Sequence, residues 1–164
     1  MAPERIRLVP LQVGDAEEMV EVLSGEDLYT FTGGAPPTLA ELRERYARQV
    51  VGHSPDGREQ WRNWIIRTVE DDEAVGYVQA TIADDGRRAE IAWVVSSRRQ
   101  RRGYASEAAR ALVAWLDGHG VTTVEAHIHP SHTASAAVAG RAGLLPTERF
   151  DDGERLWRRS RDTP

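Results

Sequence analysis

Residues 89 to 116 constrain the chain more than any other stretch, because a strand runs through an arginine-rich glycine turn straight into a long amphipathic helix. Ala89-Glu90-Ile91-Ala92-Trp93-Val94-Val95 has the β-branched and aromatic content of a strand. Ala105, Ala108, Ala109, Leu112, Val113 and Leu116 recur at helical spacing and form one broad apolar stripe, which Asp117-Gly118-His119-Gly120 ends. Between the two lies Gln100-Arg101-Arg102-Gly103-Tyr104-Ala105. Small residues at 103 and 105 let the backbone approach a ligand closely, and the N–H groups that open a helix have no intrahelical partners. Arg98, Arg99, Arg101 and Arg102 surround the turn, and no carboxylate lies between Glu90 and Glu107. Arginine binds phosphate bidentately and keeps its charge at any working pH. The segment therefore implies an anion site, and a phosphorylated ligand accounts for all of it.

Two other phosphate motifs are excluded. A P-loop needs a lysine, and the chain has none. A dinucleotide fingerprint needs three glycines in its turn, and only Gly103 is present. The bland alternative is a solvated arginine face with Gly103 shaping a turn, and the strand and helix on either side weigh against it.

The remaining chain supplies a mixed set of elements. Arg5 to Pro10 reads as an edge strand. Asp15 is a candidate N-cap for a short helix with Ala16, Met19, Val20 and Leu23 on one face. Thr38-Leu39-Ala40-Glu41 is a capping box opening a second helix, with Leu39, Leu42, Tyr46 and Val50 turned inward. Trp61 to Val69 and Ala74 to Ile82 form a hairpin that the Ala89 strand continues. A strand from Val121 to His129, a helix from Thr133 to about Ala142, and a last hairpin around Asp151-Asp152-Gly153-Glu154 complete the order β, α, α, β, β, β, α, β, α, β, β. Only the last few residues read as disordered.

With 164 residues, 40% hydrophobic and 29% charged, the chain is long enough for one globular domain over 1–164 and short for two. The net charge of −5 argues against nucleic acid as a partner. No apolar run approaches membrane-spanning length, and the amino-terminal residues form no apolar leader, so the expected location is cytoplasmic. Zero cysteines removes disulfides, thiolate nucleophiles and cysteine metal sites together.

Gln100 to Ala105, with its flanking strand and helix, resembles the acyl-CoA loop of the GNAT superfamily of N-acetyltransferases, and the element order follows that fold across nearly the whole chain. The resemblance implies an α/β GNAT fold: a mixed, mostly antiparallel sheet of six to seven strands flanked by about four helices. It implies acetyl-CoA as co-substrate, held by Val94, Val95, Gln100, Arg101, Arg102, Gly103, Tyr104, Ala105, Ser106 and His132, and an amine acceptor as the other partner. A homodimer stays open. The ribosomal-protein N-acetyltransferase-like branch is the part of the family most similar, through His129-Pro130-Ser131-His132-Thr133-Ala134-Ser135. That segment usually reads Asn-x-x-Ser, its serine serving as proton donor to the thiolate. This chain has His132 in the asparagine position.

N-acetyl transfer needs a base for the amine and a donor for the departing sulfur. Glu90 is the first candidate base, sharing a strand face with Ala92 and Val94, and Ser135 is the candidate donor. Strand alternation places Glu125, His127 and His129 together, so either histidine is an alternative base. Two histidines at this spacing also suit a metal, although no third ligand is apparent, and no metal is expected. The competing class is a noncatalytic acyl-CoA-binding module that keeps the cradle without the acid and base. For the acceptor pocket, Tyr29 to Gly34, the acidic hairpin, Trp61 and Trp64 are the candidate walls.

Overall fold

The computed structural model describes residues 4–83 and 85–161; the last residues, read above as disordered, lie outside them, as do residues 1–3 of the amino terminus. Seven strands and four helices alternate along the chain. They are β1 (Ile6–Pro10), α1 (Ala16–Val22), α2 (Leu39–Gln49), β2 (Gln60–Thr68), β3 (Ala74–Ala83), β4 (Arg88–Val95), α3 (Tyr104–Gly118), β5 (Thr123–Ile128), α4 (Thr133–Arg141), β6 (Leu145–Asp151) and β7 (Glu154–Ser160). The strands form one sheet in the order β1-β2-β3-β4-β5-β7-β6. β4 and β5 pair parallel, and the other neighbours pair antiparallel.

Alternation along the strands sorts side chains to two faces. Ala89, Ile91 and Val95 of β4 join Ala108, Leu112, Val113 and Leu116 of α3 in the larger core. Truncating a side chain as buried as Leu112 costs about 2–5 kcal/mol. The opposite face carries a smaller core, in which Met19, Leu23, Leu42, Tyr46 and Ile65 meet. α2 starts as its sequence requires: Thr38 Oγ1 accepts from the Glu41 N–H at 3.1 Å, and Glu41 Oε1 accepts from the Thr38 N–H at 3.0 Å. Val50 does not turn inward. The helix stops at Gln49, Gly52 takes a positive φ of 87°, and Val50 is left 44% exposed.

Two features of the sheet make room for a site. β4 and β5 pair only at Arg88↔Thr123, Ala89↔Val124 and Glu90↔Glu125, although β4 runs on to Val95 and β5 to Ile128, so the strands part company after Glu90. Beside the gap, a Cβ on Gly76 would fall 2.0 Å from the Val94 carbonyl oxygen. Any other residue there would push β4 away from β3.

Candidate active site

A cleft of about 560 Å³ opens where β4 leaves β5. Trp93, Val94 and Val95 form one wall, Gln100, Arg101, Gly103, Ala105 and Ser106 another, and α4 with its leading turn the third. Gly103 occupies the N-cap of α3 at φ 81° and contributes no side-chain cap, so the first-turn N–H groups of α3 keep their capacity for an anion. Arg101 and Arg102 pair with no carboxylate among the described residues. Glu107, the nearest acid on the helix, is engaged by Arg5 Nε and by the N–H groups of Arg5 and Ile6. The residues thus fit a pyrophosphate.

Across the cleft stands the start of α4. Ser135 Oγ lies 3.3 Å from His132 Nε2, and the His132 ring stacks on Phe31 with centroids 4.4 Å apart. Burial, with His129 nearby, lowers the His132 pKa, so the ring is neutral at pH 7. Asp27, Leu28, Thr30 and Phe31 bring the segment before α2 over the same cleft.

Behind the cleft, on the face of α1 and α2, Glu90 Oε1 hydrogen-bonds His127 Nδ1, and His127 Nε2 lies 2.9 Å from Asp151 Oδ2. Partial burial pushes the imidazole pKa down, but the Asp151 and Glu90 carboxylates outweigh it and the net shift is upward. An imidazole bridging two carboxylates holds a proton on each nitrogen when charged, which satisfies both contacts. His127, followed by Arg149, lowers the Asp151 pKa in turn. Asp151 reaches His127 because Asp152 and Gly153 both take positive φ, 50° and 81°, and close a tight hairpin. Glu125, beside Glu90 in the sheet, is different. It is 8% exposed and accepts from Arg158 Nε and Nη2 at 2.8 and 2.6 Å, which commits it to the fold.

The acetyltransferase (GNAT) domain matches residues 5–145 of the chain. The chain belongs to the GNAT family. No curated protein matches the chain. Solved structures resemble this GNAT domain over almost its full length. The aminoglycoside acetyltransferase AAC(6′)-Ib, in complex with paromomycin and acetyl-CoA, is 22% identical, covers 96% of this chain and 94% of its own, and has a TM-score of 0.79. The ribosomal L7/L12 α-N-protein acetyltransferase RimL, in complex with coenzyme A, is 14% identical, covers 98% and 96%, and also has a TM-score of 0.79. A ribosomal-protein-serine acetyltransferase from Vibrio cholerae is 18% identical over 97% and 95%, with a TM-score of 0.73.

Within this GNAT domain, eight residues expected to hold the co-substrate line the cleft: Val94, Val95, Gln100, Arg101, Gly103, Ala105, Ser106 and His132. Arg102 and Tyr104 do not. The Tyr104 ring packs on the core under the Arg5 guanidinium, 4.9 Å from the ring centroid. Gln100 ties its amide to the Val95 carbonyl at 3.1 Å. Glu90 and His127, weighed above as alternatives, are hydrogen-bonded to each other. His129 does not share their face. β5 ends at Ile128, and His129 Nδ1 accepts from the Ser131 N–H at 3.0 Å. Trp61 is half-buried on the Glu90 face, aligned with Thr81 and Glu90 across the sheet, whereas the Trp64 ring packs edge-on to Trp115 in the main core. Among the described residues no three His, Asp or Glu are arranged to hold a metal ion, and no helix is long and apolar enough to cross a membrane. Sequence reasoning missed Arg141, which lines the cleft and donates to Ser106 Oγ at 3.3 Å, and Asp151 as a partner of His127. The hairpin glycine was the only available signal for the second.

Proposed function

We propose that this GNAT domain moves an acetyl group from acetyl-CoA to a primary amine, on a small molecule or a protein N-terminus, by direct attack. The single observation that carries the reading is the cleft itself. It joins an uncapped helix N-terminus and unpaired arginines at one end to Ser135 at the other, and Glu90 lies on the same strand as its wall.

The N–H groups of Tyr104, Ala105 and Ser106, with Arg101, would hold the pyrophosphate, and Val94 and Val95 would flank the arm that follows it. The bound co-substrate supplies the activated acyl group. Glu90 has one carboxylate oxygen on His127 and the other available for the amine proton. Its removal leaves the nitrogen lone pair free to form the new N–C bond as the C–S bond breaks. Ser135 Oγ–H donates to the departing sulfur, and a thiolate needs no more than a hydrogen bond to leave. His127 and Asp151 fix the Glu90 carboxylate and keep negative charge where an ammonium must dock. Because the chain contains no cysteine, no cysteinyl intermediate forms and both substrates must be bound together.

Thiol release from acetyl-CoA across an amine panel tests this. The expected result is amine-dependent release with sequential kinetics. Ping-pong kinetics overturn direct attack. Tight CoA binding without release on any amine leaves a noncatalytic binding module instead.

A further inference from the structure

The face that carries Glu90 holds a second cavity, of about 230 Å³, between α2 and the strands β2 and β3. Arg45, Tyr46 and Gln49 reach it from α2, Asn63 from β2, and Tyr77 and Gln79 from β3. Its lining is polar and unsatisfied. Tyr46 is 4% exposed, yet its Oη is buried without a hydrogen-bond partner. An orphaned buried hydroxyl costs about 1–3 kcal/mol, so phenylalanine would serve the core better if packing were all that mattered. The side-chain amides of Gln49, Asn63 and Gln79 also make no hydrogen bond with any described residue, and neither does the Arg45 guanidinium.

Arg45 gives the cavity its sign. The acids within its reach are already engaged: Glu41, one helical turn back, accepts from the Thr38 N–H, and Asp15 takes the Gln12 N–H and Arg67. Burial raises the pKa of Tyr46 and of Tyr77, so both hydroxyls remain protonated donors, and both feel the Arg45 charge. Amide, hydroxyl and guanidinium donors converging on one cavity are the chemistry of an anion site.

The sheet register ties this cavity to the amine. Glu90 pairs with Thr81, and Gln79, two residues along β3 on the same face, pairs with Asn63. One strand spacing and two residues put the edge of the cavity about 8 Å from the Glu90 backbone. The surface is therefore bipolar, with Glu90 and Asp151 at one end and Arg45 at the other.

We propose that this cavity receives a carboxylate carried by the acceptor, so that the substrate is an amine with an anionic group roughly 8–12 Å away. The proposal rests on the acetyl-transfer reading for the amine end. A polycationic acceptor would set its own charge against Arg45 and is disfavoured.

6-Aminohexanoate and 6-aminohexanamide span about the same distance and differ only in charge at the far end. With acetyl-CoA saturating, kcat/KM should favour the acid by roughly tenfold or more. Arg45→Gln should bring the ratio close to one, and Tyr46→Phe, which keeps the ring that packs, should reduce it. A ratio of one in the wild type, or a preference that survives Arg45→Gln, overturns the site and leaves acetyl transfer standing. Short peptides with Glu or Gln as third residue form a second arm; a preference confined to them places the carboxylate on a protein N-terminus. If no amine releases thiol, the transfer reading fails instead. Calorimetric titration of 6-acetamidohexanoate and its amide into the CoA-bound protein then decides the anion site alone. Tighter acid binding that Arg45→Gln removes supports it, and equal binding overturns it.

Discussion

The two ends of β4 are built by opposite means. At its carboxyl end the strand runs into the turn that ends at Gly103, and the cradle comes from one contiguous stretch whose working parts are backbone N–H groups and a left-handed glycine. At its amino end Glu90 meets His127, 37 residues away, which in turn meets Asp151, a further 24 residues on. The first region is set by local conformation and tolerates side-chain change wherever the backbone is kept. The second exists only if β5 and the β6–β7 hairpin arrive in register, and its chemistry resides in side chains. A GNAT domain can therefore keep one co-substrate end while its acceptor end varies.

Backbone against side chain is the difference to break first. Gly103→Val places a β-branched residue at φ 81° and sets its Cβ 3.1 Å from Arg5 Nη2. The strain of order 1–3 kcal/mol falls on the turn that orients the cradle, and CoA affinity should drop by about thirtyfold or more. Calorimetry showing wild-type affinity would refute the cradle. Arg102→Ala is the counterpart. Arg102 does not line the cleft, so its removal should change CoA affinity by less than roughly threefold, whereas the loss of one charge-assisted contact of about 1.5–3 kcal/mol is expected for Arg101→Ala. Reversal of that order would mean the turn rearranges on binding.

At the other end, chemistry should fail while affinity survives. Glu90→Gln should lower kcat by about 10²–10⁴-fold with CoA binding intact, and the acidic limb of the pH–rate profile should move or vanish. Because Glu90 and His127 share a hydrogen bond, His127→Ala should shift the same limb without abolishing it. A limb untouched by either variant would dissolve the assignment. Ser135→Ala is expected to cost roughly tenfold to a hundredfold in kcat, the value of a hydrogen bond to a developing anion, and to leave an active enzyme. Wild-type turnover in Glu90, His127 and Ser135 variants alike would leave positioning as the whole of catalysis.

The same contrast explains what could be read from the residues. Element order, the Thr38 capping box, the α3 stripe and the cradle are local patterns, with period, cap chemistry and glycine adjacent in sequence. The gap between β4 and β5 could not be read, since nothing in either strand marks where pairing stops. His129 follows the alternation of β5 on paper, but the strand ends one residue before it and the chain turns. Trp64 and Trp61 differ only by odd and even position, so the sheet face had to be known before either could be assigned. Tyr46 read correctly as an inward residue of α2, and only the packed structure shows its hydroxyl without a partner.

The smallest expected effect asks whether the amine end is held by ionisation or by shape. The two carboxylates raise the folded-state pKa of His127 above its ordinary value of 6.5. A group held this way adds stability that is fully present below the unfolded pKa and is lost as pH rises through the folded one. Asp151 works in the other direction. Its pKa is lowered from 3.8, so its contribution is present above that value and lost as acid protonates it, in a separate window. Between pH 6 and pH 8 only the imidazole contributes, and the wild-type Tm should fall more than that of His127→Gln, by about 1–3 °C. Asp151→Asn removes one of the two carboxylates and should shrink the difference without erasing it. Parallel Tm curves for wild type and His127→Gln would show that the three side chains meet through packing alone, and the amine end would then resemble the co-substrate end in being fixed by backbone geometry.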